Sequence, residues 1–387
     1  MRKLFAVIVV FACFVLAASA LVNFQQSPTV SASVVGLRAS DSSAGFARAT
    51  SVRTFKFPDD HGPHPEFQTE WWYYTGNLDA RDGRRFGYQL TFFRRAITPT
   101  LPTRVSDWAT NQIYFAHFAI TDVKNNAHAA SEHFSRDAAG LAGATGNPFH
   151  VWLEDWDATA LDAPGNHVQL HARDEKRGLD LTLTSLKSLV LQGDRGLSQK
   201  SAEAGNASYY YSFTRLETTG TITVNDEPLT VSGTSWMDHE WSTAVLGENA
   251  VGWDWFSIQL SDNREVMLFQ IRQKNGSIEP LSSGTIVEPD GTTRHLTREQ
   301  FDIKVLSSWT SNTTHATYPS HWTIAIPDED IHLDLQPLVA DQEMDVSIKY
   351  WEGAVNISGL ARGATVNGRG FVEMTGYAPQ VPVNSKK

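Results

Sequence analysis

Trp71-Trp72-Tyr73-Tyr74-Thr75-Gly76-Asn77-Leu78 runs into Asp82-Gly83-Arg84, and the chain returns with Phe86, Tyr88, Leu90 and Phe92 on alternate positions. Successive side chains of a strand point to opposite faces, so bulky residues at every second position mark a strand, not a helix. Asp-Gly between two such runs is a tight-turn signal, because glycine takes the positive φ the turn needs. The stretch reads as an aromatic-led β-hairpin.

The same pattern recurs along the chain. Residues 167–171 and 179–183 flank Lys176-Arg177-Gly178, and residues 221–224 and 229–231 flank Asn225-Asp226. Pro289-Asp290-Gly291 and Gly368-Arg369-Gly370 mark two further hairpins. Beyond the N-terminus no long stretch has a 3.6-residue apolar period; one short helical turn is expected around Asp341 to Met344. Many short strands joined by tight turns predict an all-β chain of antiparallel barrels or sandwiches. A weak repeat refines this. Trp253-Asp254-Trp255-Phe256-Ser257-Ile258-Gln259-Leu260 leads to Asp262-Asn263-Arg264 and an apolar return strand closed by Arg272, as the first hairpin is closed by Arg94. Two similar β domains are expected, at 53–243 and 244–379, with a tail over 380–387.

At 387 residues the chain exceeds one comfortable hydrophobic core, which agrees with two domains. Its net charge of −11 argues against a nucleic-acid partner. Arg2 and Lys3 precede an apolar run over 4–17, and Ala18-Ser19-Ala20 follows as a small-residue cleavage site. That order is the order of a secretory signal peptide over 1–20, which predicts a secreted or periplasmic chain. An uncleaved membrane anchor is the alternative, although the run is short for a span. Cleavage removes the single cysteine, Cys13, and with it thiol chemistry and disulfides. Residues 21–52, rich in Ser, Ala and Val, read as a linker.

Four blocks concentrate the unusual residues: 60–74, Trp236-Met237-Asp238-His239-Glu240-Trp241, Gly252-Trp253-Asp254-Trp255-Phe256, and Tyr350-Trp351-Glu352-Gly353. They hold seven of the twelve tryptophans together with many of the acids and histidines. With Ser208-Tyr209-Tyr210-Tyr211-Ser212 and the block 370–377, they make the chain resemble the family of carotenoid 1,2-hydratases and AttH-type proteins, often labelled predicted secreted hydrolases. The resemblance implies two lipocalin-like β-barrel domains packed together. It also implies an aspartate preceded by an aromatic residue in the third block. Trp253 precedes Asp254 here, while Gly252 stands where the hydratase pattern has a tyrosine.

Alternation sorts the block residues by face. Trp236, Asp238 and Glu240 share one face of their strand, opposite Met237, His239 and Trp241; Glu70, Trp72 and Tyr74 oppose Trp71 and Tyr73; Asp254 faces away from Trp253 and Trp255. Hydration of an electron-rich alkene needs a protonated acid in a dry pocket and aromatic faces that stabilise the cation. The residues expected to carry it are His239, Asp254, Asp238 and Glu240, with Glu70, Trp72, Tyr74, His117, Trp241 and Trp253 around the ligand. His61 and His64 lack a third ligand in register, so no metal is expected, and no cofactor either.

The zincin pattern fails after His239-Glu240, and Gly233-Thr234-Ser235-Trp236-Met237 is not a nucleophile elbow. Walker and dinucleotide fingerprints are missing, and the hydrolase label has no nucleophile motif behind it. The expected partner is an apolar, isoprenoid-like small molecule, with peripheral membrane proximity left open and no obligate protein partner. Acid–base chemistry of hydratase, isomerase or cyclase type is the first reading of the cavity. A hydrophobic-ligand carrier is the second, since fold does not fix function.

Overall fold

The computed structural model describes residues 43–379 apart from 102, 104, 105 and 245. The expected signal peptide, linker residues 21–42 and the tail lie outside the described residues. Among the described residues the structure is almost entirely strand, with three short 3-10 turns at Asp59–His61, Arg298–Gln300 and Pro327–Glu329. No helix among them is long and apolar enough to cross a membrane.

The strands form two antiparallel sheets, one of thirteen strands from Thr69 to Ser242 and one of ten from Ala250 to Met374. The opening strand of the first, Thr69–Ala80, pairs with its successor Arg85–Ala96 and with the last long strand, Glu227–Ser242. In the second sheet Ala250–Leu260 likewise pairs with Glu265–Gln273 and with the last strand, Ala364–Met374. Such pairing curls each sheet, the first nearly into a barrel and the second into a half-barrel, giving a lipocalin-like architecture twice over.

Turn chemistry explains most of the hairpins. Gly83 has φ +85°, and its N–H donates to Ala80 O at 2.9 Å. Asn225 and Asp226 have φ +53° and +64°. Two sequence expectations are corrected. Gly368-Arg369-Gly370 lies inside a strand; that hairpin turns at Arg362-Gly363 instead. Glycine is needed at 370 for close approach, because a Cβ there would sit 2.1 Å from Ser257 O of the neighbouring strand. Around Asp341 to Met344 the chain is not helical: Glu343–Met344 is a two-residue strand paired with Tyr350 and Trp351.

Four apolar clusters result among the described residues, the smallest joining Phe115 and Ala119 of the first sheet to Met344, Ile348 and Tyr350. One fills the first sheet's interior around Trp72, Tyr74, Tyr211 and Trp241, and one fills the second around Trp322, Trp351 and Phe256. The third lies between the sheets and joins Tyr73, Tyr210 and Trp236 of the first to Trp255, Phe269 and Phe371 of the second. Burial of each such aromatic stabilises by roughly 1.5–3 kcal/mol, so this third cluster is a strong adhesive between domains. Polar ties reinforce it. Asn77 Nδ2 donates to Gly370 O at 3.0 Å, and Gln259 Nε2 donates to Thr214 O and Ser235 O. Buried Glu265 accepts from both Lys187 and Arg215 of the first sheet. Sheets buried on both faces cannot show a polar–apolar alternation; residues 235–242 are buried without a break.

Candidate active site in the cleft between the sheets

The inter-sheet cluster surrounds a partly open cleft with a cavity volume of about 100 Å³. Strand register builds its walls row by row. On the first sheet, Asp238 lies opposite Tyr73, Tyr73 opposite Thr91, and Thr91 opposite His117. The next row runs from Glu240 through Trp71 to Phe93. On the second sheet a single row crosses four strands: Phe269, Trp255, Glu373, Glu352. All of these residues line the cleft.

Two carboxyls therefore stand side by side among aromatic rings. Burial pushes the Glu373 carboxyl up to about 8, with the nearby Glu240 and Asp238 charges adding to it. Burial pushes Glu352 well above the usual carboxylate range, and the Glu373 charge beside it pushes further. Neighbouring like charges in a dry site cannot both ionise, so the pair holds a proton at neutral pH. Tyr73 and Tyr350 both approach the Glu352 carboxyl as hydrogen-bond partners, although Tyr73 Oη and Glu352 Oε1 do not reach good hydrogen-bond geometry.

Asp238 is pushed by burial up to about 7, against the hydrogen bonds it accepts. These come from Ser212 Oγ, Tyr210 Oη at 2.8 Å and Trp236 Nε1 at 2.8 Å. Lys200 pairs with Glu240 at 3.0 Å, and its ammonium lies 4.4 Å from the centre of the Phe269 ring. This end of the cleft is thus charged and its middle is aromatic and acidic.

The structure divides the residues singled out in the sequence among three places. Asp238, Glu240, His117 and Trp253 line the cleft. His239, Glu70, Trp72, Tyr74 and Trp241 do not; they point into the first sheet's interior, one residue out of phase with the cleft face. There His239 Nε2 lies 2.9 Å from Glu70 Oε1 and its Nδ1 lies 3.0 Å from Tyr211 Oη. Burial lowers the His239 imidazole to about 4, so it is neutral. Glu70 also accepts from Arg94 at 2.8 Å and from His64 at 2.7 Å, and these partners hold its carboxyl well below the usual range despite burial. Asp254 belongs to neither place. It turns to the second sheet's other face, where Gln270, Arg272 and Tyr377 donate to it. Glu70 pairs with Arg94 and Asp254 with Arg272, each within its own sheet, and the expected pairing of His239 with Asp254 in one pocket is not formed.

His64, Glu70 and His239 also offer three donor atoms within 4.8 Å of one another, enough to hold a cation. Each atom is already engaged within the triad, and the Arg94 guanidinium brings a positive charge to the same carboxylate. The donor set fits an ion-pair network better than a metal site.

Residues 48–377 match the AttH-like family model. The chain belongs to the AttH-like family. An AttH protein of Nitrosomonas europaea with a crystal structure at 2.00 Å is 34% identical, with TM-score 0.76 over 86% of this chain and 100% of that one. Kievitone hydratase from Nectria haematococca superimposes with TM-score 0.65 at 14% identity, over 86% of this chain and 98% of that one. CghA, solved with Sch210972, gives 0.52 at 14% identity over 88% and 96%. At such identity the last two show the fold alone. No curated protein sequence matches the chain.

In this AttH-like chain the acids that sequence reasoning missed are Glu352 and Glu373. Both stood in quoted blocks, Glu352 in Tyr350-Trp351-Glu352-Gly353 and Glu373 inside the segment 370–377. Their signal was parity: Glu352 shares a face with Tyr350 and Ala354, and Glu373 with Phe371. A glutamate on an otherwise apolar face costs too much to be placed there without a partner or a task.

Proposed function

We propose that the cleft is the active site of a hydratase-type acid–base enzyme acting on an apolar small molecule with an electron-rich double bond. The observation that carries this reading is the Glu352–Glu373 pair, a protonated carboxyl beside a second one on an aromatic wall. The acid's proton goes to one alkene carbon and the π electrons form the new C–H bond, leaving a carbocation. Trp71, Trp253 and Trp255 line the same cleft and stabilise positive charge through their ring faces. Water then adds through oxygen and releases a proton; if the cation loses a proton before water adds, the product is an isomer. Tyr73 Oη and Glu352 Oε1, buried beside each other without a well-formed hydrogen bond, suit the binding of that water. The shared fold with kievitone hydratase supports the reading. The Arg2-Lys3 start and the apolar run after it support export, so the chain from residue 21 is the form to assay.

The test is incubation of that chain with a panel of cyclic and acyclic isoprenoid alkenes in D2O, read by mass spectrometry. Turnover adds one D2O to a substrate, and Glu373→Gln abolishes it while the variant still folds and melts cooperatively. Alkenes that bind but return without deuterium would make the protein a carrier and overturn the proposal.

A further inference from the structure

The hydration reading supplies an acid but leaves open where the attacking water's proton goes. Three residues at the other end of the cleft answer that, two from the first sheet and one from the second. Glu132 Oε1 lies 2.9 Å from His117 Nε2, and His117 Nδ1 lies 2.8 Å from Tyr350 Oη. Ser347 fixes the carboxylate, its N–H donating to Oε2 at 3.1 Å and its hydroxyl to Oε1 at 2.6 Å. The rings of Phe93 and Phe115 pack around the imidazole, with centroids at 5.1 and 5.6 Å. His117 is buried, while Glu132 reaches the surface at 13% side-chain exposure.

Geometry dictates the proton positions. Burial works against ionised Glu132, but the hydrogen bonds from His117 and Ser347 hold its carboxyl below the usual range. A carboxylate only accepts, so His117 carries its hydrogen on Nε2. In that tautomer Nδ1 is the acceptor of the Tyr350 O–H. Carboxylate, imidazole and hydroxyl in that order, with the hydroxyl facing a cavity, is the arrangement that turns a hydroxyl into a base. Both His117 and Tyr350 line the cleft.

We propose that Glu132, His117 and Tyr350 form a proton-accepting triad that deprotonates the water in the reaction of this cleft. The proposal rests on the hydration reading. As the water oxygen bonds to the carbocation, one water proton passes to Tyr350 Oη while the Tyr350 proton passes to His117 Nδ1. The imidazolium pairs with Glu132. The Glu352–Glu373 pair, having given its proton to the alkene carbon, is one proton short and His117 holds one more. Tyr350 and Glu352 are two residues apart on one strand and share a face, so return through Tyr350 resets both. The sum is alkene plus water to alcohol. Tyr350 is the catalytic residue; Glu132 is a positioning residue that fixes the His117 tautomer.

Two measurements on the chain from residue 21 test this. In 15N-histidine NMR, His117 is expected as the Nε2-protonated tautomer, and Glu132→Gln is expected to shift that equilibrium. In the D2O assay with isoprenoid alkenes, His117→Gln and Tyr350→Phe are expected to lower kcat by about 100-fold or more with KM changed less than about threefold. Added imidazole is expected to restore part of the rate of His117→Gly. An Nδ1-protonated His117, or Tyr350→Phe turning over normally while Glu373→Gln is dead, would sink the triad and leave the acid pair standing. A wild-type chain that turns over no alkene sinks both.

Discussion

Glu352 and Glu373 are direct cross-strand partners, and both carboxyls face the cleft where the second sheet meets the first. Their pKa values are raised above the ordinary carboxyl value of 4.5, Glu373 to about 8. A raised folded value means that the folded chain holds protons the unfolded chain has lost. The stability this gives is full below about pH 4.5 and is lost as pH rises through about 8. The wild-type melting temperature is therefore expected to fall across pH 5–8 more steeply than that of Glu373→Gln. Thermal melts of both chains across that range check this; parallel slopes would mean that the pair is not coupled to folding.

The same acid sets an upper pH limit on turnover. Above about pH 8 the Glu373 proton is gone, and the hydration rate is expected to fall about tenfold per pH unit until other groups take over. Rate against pH in the D2O assay is the measurement, and a rate that stays level to pH 10 would remove Glu373 as the donor.

Asp238 gathers three buried donors, Ser212 Oγ, Tyr210 Oη and Trp236 Nε1. Truncation strands all three, at about 1–3 kcal/mol for each buried donor left unpaired. Asp238→Ala is expected to destabilise by at least about 3 kcal/mol, and Asp238→Asn, which keeps one acceptor oxygen, by less. Urea unfolding midpoints rank the two; an alanine variant as stable as wild type would show that water replaces the carboxylate.

Much of the architecture was legible because turn chemistry and two-residue alternation are local. Asp82-Gly83 and Asn225-Asp226 turn where their residues require it, and the faces of the segment 236–241 follow from strand geometry alone. What alternation does not carry is which face meets the other sheet. His239 stands between two acids and Asp254 between two tryptophans, yet each serves the interior of its own sheet through contacts with Glu70 and Arg272. Glu373 and Glu352 come together with Asp238 and His117 only through packing between sheets, across more than a hundred residues of chain. No local pattern encodes that. Gly370 misled for a related reason, since the carbonyl that excludes a side chain there belongs to Ser257.

The interior network of the first sheet predicts a different sensitivity. Glu70 is held well below its ordinary value, mainly by Arg94 and His64 against burial, and burial lowers His239 to about 4. Depressed values mean stability that is present above the unfolded values, 6.5 for histidine and 4.5 for glutamate, and lost as pH falls through the folded ones. His64, raised by Glu70 and Asp60 despite burial, has the opposite sign and is lost as pH rises. Glu70→Gln leaves Arg94 buried without its counter-charge and is expected to cost about 3–5 kcal/mol at pH 7. The cost is expected to shrink as pH falls below about 4.5, where Glu70 takes up a proton in the unfolded chain but not yet in the folded one. Urea unfolding at pH 7 and pH 4 checks it; an equal cost at both would mean that Glu70 acts by shape alone.

Gly87 tests whether the cleft depends on how the sheets sit against each other. A Cβ at Gly87 of the first sheet would lie 2.7 Å from the Ala354 Cβ of the second, with no turn or positive φ involved. Gly87→Val therefore wedges the sheets apart while leaving each sheet's hydrogen bonds in place, at about 1–3 kcal/mol for overpacking. His117 and Tyr350 stand on opposite sides of that interface, 2.8 Å apart, and a shift of one ångström breaks their hydrogen bond. The matched control is Gly83→Ala, where the side chain meets nothing within 4 Å and the cost is only that of φ +85°, about 1–2 kcal/mol. The two variants are thus expected to melt at similar temperatures, but only Gly87→Val is expected to lose the His117 tautomer signal and most of its turnover. Equal turnover in both would mean that the chemistry resides in one sheet and not between them.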